Sequence, residues 1–185
     1  MSRAHNFSAG PAVLPLSVIE ELASVLPEFQ DTGMGLMELS HRSPAFDAVH
    51  RSAEARLRRV MGIPDDYAVL FLQGGASLQF LMTAINLLAD GESADFVVTG
   101  TWSQKALAEA QRVRAGRASW DGADTGFARL PSAITVDPDA TYLAYTTNNT
   151  IYGTQFQARP DAGGTPLVAD MSSDICSRPV DVGAH

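Results

Sequence analysis

Lysine is nearly absent from this sequence: of its thirteen basic residues, twelve are arginine and one, Lys105, is lysine. Chemistry that needs a side-chain amine has one candidate here. Cysteine is equally scarce. Cys176 stands alone, so no internal disulfide can form, and the chain suits a reducing compartment. Positive charge is in deficit, with 21 acidic side chains against 13 basic ones and a net charge of −8. That balance argues against nucleic acid or an anionic membrane as partner, although a small phosphorylated ligand needs only a local positive site. No apolar run approaches the roughly 20 residues of a membrane span. The N-terminus carries no secretory signal pattern, so a cytoplasmic location is expected. The four histidines (His5, His41, His50, His185) are scattered and have no cysteine pairs beside them, so no metal site is expected. Neither a Walker A nor a GxGxxG motif occurs, which leaves ATP or NAD binding unsupported.

What is present fits a globular protein. Of the 185 residues, 45% are hydrophobic and 18% charged, enough for one core, or for one domain with an appendage. Residues 1–16 read as an irregular segment, punctuated by Gly10-Pro11 and Pro15. Ser17 to Glu20 has the form of a capping box and predicts a helix to about Leu26. A second irregular stretch, 30–42, precedes Ser43-Pro44, an N-cap with proline at the first helical position. Phe46, Val49, Ala53, Leu57 and Val60 then share one helical face until Gly62 and Pro64 stop it. Tyr67–Leu72 is a short apolar run that reads as a buried strand. Beyond it the pattern predicts a helix over 76–88, a strand over 95–99 and a helix over 102–115. Short strands follow within 116–139, and longer ones over 141–147 and 166–171. This alternation predicts an α/β fold with a largely parallel or mixed sheet flanked by helices.

The stretch "FLQGGASLQF", residues 71–80, joins the first expected strand to a helix through two glycines. In an open α/β sheet such a turn lies at the carboxyl end of a strand, where ligands bind. Glycines let the backbone approach an anion, and a helix N-terminus offers it free N–H groups. A phosphate cradle and an ordinary tight strand-to-helix connection both fit these residues.

Several loop segments at or near expected strand ends share one further property. "NFSAGP" (6–11), "ELSHRS" (38–43), "GGAS" (74–77), "TGTW" (99–102), "TNNTIYG" (147–153) and "ADMSSDICSRP" (169–179) stand in this order along the chain. Together they resemble the phosphoserine aminotransferases, pyridoxal-phosphate enzymes of the class V group with the aspartate-aminotransferase fold (fold type I). "SHR" and "GGASLQF" followed by "NLL" are the more specific parts, and "NFSAGP" is shared with relatives in the group. The resemblance runs over essentially all 185 residues.

The resemblance implies pyridoxal 5'-phosphate as cofactor and assigns roles to particular residues. The backbone N–H groups of Ala76 and Ser77, with the Ser77 hydroxyl, would hold the cofactor phosphate. The Trp102 indole would stack on the pyridine ring, as an aromatic face buries a flat heterocycle well. Thr150 would hydrogen-bond the phenolic oxygen. Asp170 ends the apolar run "PLVAD", and its carboxylate would pair with the ring nitrogen and keep it protonated. Arg42 would take the substrate carboxylate with its planar fork, and His41 would lie near the substrate phosphate. Ala9 stands where some members carry serine, so no side-chain role is assigned to it. Without the resemblance, Trp102 reads as a core residue, Thr150 as a turn former and Asp170 as a loop cap. Arg42 then reads as a solvated charge, though one set unfavourably beside a helix N-terminus.

By the same resemblance the full enzyme would convert 3-phosphohydroxypyruvate and L-glutamate to O-phospho-L-serine and 2-oxoglutarate, in serine biosynthesis, as a homodimer. The family's essential lysine follows soon after the region matched by "DMSSDICSRPVDV" and would therefore lie beyond His185. Lys105, inside an expected helix, does not match it, so no catalytic residue is expected among the 185. The ending "VDVGAH" follows a strand and a polar loop where a doubly wound sheet normally continues. Residues 17–185 are accordingly read as an incomplete cofactor-binding large domain, and the chain alone as inactive. Two other readings stay open: another class V enzyme, such as one like alanine–glyoxylate aminotransferase, or a non-catalytic cofactor-binding or dimerising module.

Overall fold

The computed structural model describes residues 3–8 and 10–185; Ala9 lies outside them. The chain divides into two compact units, Met1–Val69 and Leu70–His185.

In the first unit, α1 spans Leu16–Val25 and α2 spans Pro44–Met61. The expected capping box at the start of α1 does not form. The N-cap is Pro15, no side chain caps the helix, and the N–H groups of Val18 and Ile19 turn back to the Pro15 carbonyl at 3.1 and 3.3 Å. Proline presets its own φ and ends the extended approach, so Ser17 falls inside the first turn. The start of α2 is as the sequence predicts: Ser43 Oγ accepts from the Phe46 N–H at 3.2 Å, with Pro44 in the first turn. Its end is fastened twice. The N–H groups of Gly62 and Ile63 reach the Arg58 carbonyl. The Arg58 guanidinium then donates to the carbonyls of Pro64 (3.0 Å) and Tyr67 (2.8 Å), which steers the chain away from the helix.

Tyr67–Leu72 is not a strand. Leu70, Phe71 and Leu72 are 71%, 51% and 55% exposed, and these residues join no ladder. An apolar run specifies a preference for burial, but an extended segment becomes a strand only beside another strand's open edge.

The second unit contains α3 (Gly75–Leu87), β1 (Ser93–Val98), α4 (Thr101–Val113), β2 (Ala115–Asp121) and β3 (Ala140–Thr146). A short hairpin of β4 (Asn148–Asn149) and β5 (Thr154–Gln155) and a last strand, β6 (Leu167–Asp170), complete it. Four strands form a parallel sheet in the order β2-β1-β3-β6. Side chains alternate across it with the period of two that strands impose. Phe96, Val98, Tyr142 and Val168 pack on one face with Ala84, Ala106 and Ala110 of the two helices. Val97, Leu143, Tyr145, Leu167 and Ala169 face the other way, onto Phe156, Ala162 and the connection carrying Leu130, Ile134 and Val136. Helices cover one face and irregular chain covers the other.

One charge interrupts the apolar alternation. The Asp95 side chain is 1% exposed and sits directly across from Arg117 in the β1–β2 register. Arg117 donates to both carboxylate oxygens, at 2.9 and 2.5 Å, and the Asp137 N–H donates a third bond at 2.7 Å. The hydrogen bond to Asp95 raises the Arg117 pKa above its ordinary value, against the opposing effect of desolvation.

The sheet order positions the site. From β1 the chain passes through α4 to β2 at one edge, then returns past β1 to β3 on its other side. The neighbours β1 and β3 thus lead away in opposite directions. In parallel sheets such a switch point opens a crevice at the carboxyl ends of the strands.

Candidate active site

At that crevice an open cavity of about 230 Å³ is lined by Ala76, Ser77, Trp102, Thr150 and Asp170, together with Asn148 and others. All five residues singled out for a cofactor meet there, although they are drawn from positions 76 to 170. Each arrives for a local reason.

Ala76 and Ser77 occupy the first turn of α3, whose N-cap is Gly74. The first N–H groups of a helix have no intrahelical acceptor, and no acidic side chain stands in this turn to compete for them. Gly74 has φ of +97°, and a Cβ there would lie 2.3 Å from Leu78 Cδ2. The turn that aims these amides into the cavity therefore needs glycine on two counts.

Trp102 lies in the first turn of α4, after β1. Its turn is held by Ser103, buried, whose Oγ accepts from the N–H groups of Thr99 (2.8 Å) and Gly100 (3.0 Å). Gly100 is itself closely approached: a Cβ would lie 2.9 Å from the Tyr152 ring and 3.0 Å from Asn149 Oδ1. Lys105, one turn along α4, places its Nζ 4.6 Å from the Trp102 ring centroid. This cation–π contact braces the indole.

Thr150 sits at the turn of the β4–β5 hairpin, exposed to the cavity. Buried Asn149 anchors the hairpin: its Oδ1 accepts from Thr99 Oγ1 at 3.1 Å, and its Nδ2 donates to Thr154 Oγ1 at 3.1 Å. The loop bearing Thr150 is thereby tied to the loop bearing Trp102. A second anchor is Asp174, 4% exposed. It accepts from the Thr147 hydroxyl, from Gln155 Nε2 at 3.2 Å and from Arg178 Nη2 at 3.3 Å. These bonds tie the loop after β6 to the hairpin.

Asp170 is the last residue of β6, in register with Thr146 of β3. The residue is half-buried, and its Oδ1 accepts from the Ser172 N–H (3.1 Å) and the Ser172 hydroxyl (2.6 Å). The loop-cap reading and the binding reading of this residue are thus compatible. Ser172, Ser173 and Asn148 also line the cavity, and sequence reasoning did not single them out. Their only signal was position, inside two segments already marked by strand ends. Asn148 Nδ2 donates to Ser173 Oγ at 2.9 Å, so these small polar residues form one rim.

His41 and Arg42 belong to the first unit, in the turn before α2, and both are exposed. The Arg42 backbone N–H reaches Ser40 Oγ at 3.3 Å. Among the described residues no group of three or more His, Cys, Asp or Glu could hold a metal ion.

The cavity suits a particular ligand: anionic at one end, where helix amides and a hydroxyl wait, flat in the middle, and bearing a cationic N–H opposite a carboxylate. Residues 4–185 match the family model described as aminotransferase class-V. A phosphoserine aminotransferase of Desulfatibacillum aliphaticivorans is 51% identical over 97% of the chain and 50% of its own length. A phosphoserine aminotransferase structure reporting radiation damage of its Schiff base superposes with a TM-score of 0.95 at 44% identity, over 99% of this chain and 51% of that one. The PLP-bound phosphoserine aminotransferase of Trichomonas vaginalis gives 0.89 at 36% identity, over 96% and 53%. The chain spans about half the length of the relatives it matches.

Proposed function

The chain belongs to the class-V aminotransferase family, and on that premise we propose that it forms the cofactor-holding half of a phosphoserine aminotransferase. The reaction would convert 3-phosphohydroxypyruvate and L-glutamate to O-phospho-L-serine and 2-oxoglutarate in serine biosynthesis. The observation that carries this reading is the single cavity lined by Ala76, Ser77, Trp102, Thr150 and Asp170. Its donor set fits pyridoxal 5'-phosphate, which when bound supplies an electron sink for charge developing at the substrate carbon.

Each residue of this chain has a separate task. The Ala76 and Ser77 amides and the Ser77 hydroxyl hold the phosphate at the positive end of α3. Trp102, braced by Lys105, fixes the plane of the ring and excludes water from one face. Thr150 donates to the phenolic oxygen. Asp170 keeps a proton on the ring nitrogen by ion pairing. Arg42 takes the substrate carboxylate and His41 lies near the substrate phosphate. Transamination also needs a lysine amine to move a proton, and Lys105, inside α4, does not match the family's lysine position. The 185 residues alone are accordingly inactive in this reading, and the working enzyme is a cytoplasmic homodimer. No helix among the described residues is long and apolar enough to cross a membrane.

The test is Asp170→Asn in the native polypeptide, with apoprotein titrated against pyridoxal phosphate. The expected result is a loss of at least about tenfold in cofactor affinity, with transamination suppressed. Unchanged affinity would remove Asp170 from the site and the reading with it.

A further inference from the structure

The carboxylate of Asp170 is not free to rotate. Ser172, two residues on, donates to the same oxygen, Oδ1, from its hydroxyl at 2.6 Å and from its backbone N–H at 3.1 Å. A carboxylate is planar, so fixing one oxygen fixes the direction of the other. Oδ2 is left as the oxygen available to a donor in the cavity that both residues line. The hydroxyl bond is short, as charge-assisted O–H donors to carboxylates are. Ser172 is exposed and makes no other hydrogen bond among those of the described residues, so this contact is its structural occupation.

We infer that Ser172 is a positioning residue that acts through Asp170: by clamping Oδ1 it sets the orientation in which Oδ2 meets a cationic ring N–H of the ligand. The inference rests on the pyridoxal-phosphate reading of the cavity. Its logic is that of a metal-ligating side chain held by an outer partner, where the second contact decides where the first one points. A swinging carboxylate still attracts a cation, but it spends part of its time in orientations that hold the proton on the ring nitrogen less firmly. Ser172→Ala keeps the backbone N–H bond and loses the hydroxyl bond, and Ser172→Thr keeps both donors.

The experiment uses the native polypeptide and two readouts that do not depend on turnover. One is the affinity of the apoprotein for pyridoxal phosphate. The other is the nitrogen-15 shift of cofactor labelled at the ring nitrogen, followed with pH. Ser172→Ala should weaken affinity about three- to tenfold and move deprotonation of the ring nitrogen to lower pH, while Ser172→Thr restores both. In an Asp170→Ala background the serine substitution should add nothing. An unchanged affinity and nitrogen shift in Ser172→Ala would overturn the inference. So would an equal loss in the Asp170→Ala background, which would make Ser172 a direct ligand contact. If Asp170→Ala itself leaves affinity intact, the reading of the whole cavity falls; if it weakens binding and Ser172→Ala does not, only the positioning role does.

Discussion

Replacing Gly74 by alanine isolates what the turn before α3 contributes, because its neighbour supplies the control. Both Gly74 and Gly75 have positive φ, +97° and +63°. A left-handed backbone costs a non-glycine residue about 1–2 kcal/mol. At Gly75 that is the whole penalty, since a Cβ would meet nothing within 4 Å. At Gly74 a Cβ would also lie 2.3 Å from Leu78 Cδ2 and 2.8 Å from Leu78 Cβ. The Cδ2 methyl can swing away at an off-rotamer cost of about 0.5–1.5 kcal/mol. The Leu78 Cβ cannot, being fixed to the helix backbone, so the first turn of α3 must shift. Gly74→Ala is therefore expected to destabilise by about 2–3 kcal/mol and Gly75→Ala by about 1–2 kcal/mol. The measurement is urea unfolding of the two variants with pyridoxal-phosphate titration of each apoprotein. A shifted first turn moves the Ala76 and Ser77 amides, so the cofactor should be lost more severely with Gly74→Ala. Equal stability costs, or a Gly74→Ala cost below about 0.5 kcal/mol, would refute the steric reasoning.

Two further expectations concern the sheet. Arg117→Ala leaves the Asp95 carboxylate, 1% exposed, with the Asp137 N–H in place of a bidentate partner. A loss of about 3 kcal/mol in chemical denaturation is expected, with Arg117→Lys recovering only part of it because the ammonium lacks the fork. Burial pushes the Tyr142 phenol up to about 12 from its ordinary 10.0. The unfolded chain then releases its proton first, so stability is full below pH 10 and falls as pH rises towards 12. The full effect is on the order of 2–3 kcal/mol. Tyr142→Phe should flatten that alkaline decline in a pH series of denaturation curves, and an unaltered decline would assign it to other groups.

Much of the fold was legible in the chain because its signals are local. Ser43-Pro44 and Gly62 bracket α2 as written, since a cap depends on residues three or four apart. The alternation of β3 and the helical spacing of α3 depend on nothing further away than the next turn. Where proline competed with a capping box, at Pro15 and Ser17, the stiffer residue set the boundary. The segment Tyr67–Leu72 failed as a strand for the opposite reason: pairing is a property of two segments, and the second one is not encoded in the first.

The site divides in the same way. The residue types needed for an anion, a flat ring and a cationic N–H stood in loops that the sequence marked through glycines and strand ends, and resemblance assigned them roles. Only the tertiary structure decided that Ala76, Ser77, Trp102, Thr150 and Asp170 share one cavity: parallel order brings the ends of β1, β3 and β6 to one edge, and the first turn of α3, which follows no strand, lines the same cavity. The supports were decided there too. Asn149, Asp174 and Ser172 hold the loops through side-chain bonds, two of them reaching 19 to 50 positions along the chain, and no local pattern announces a partner that distant.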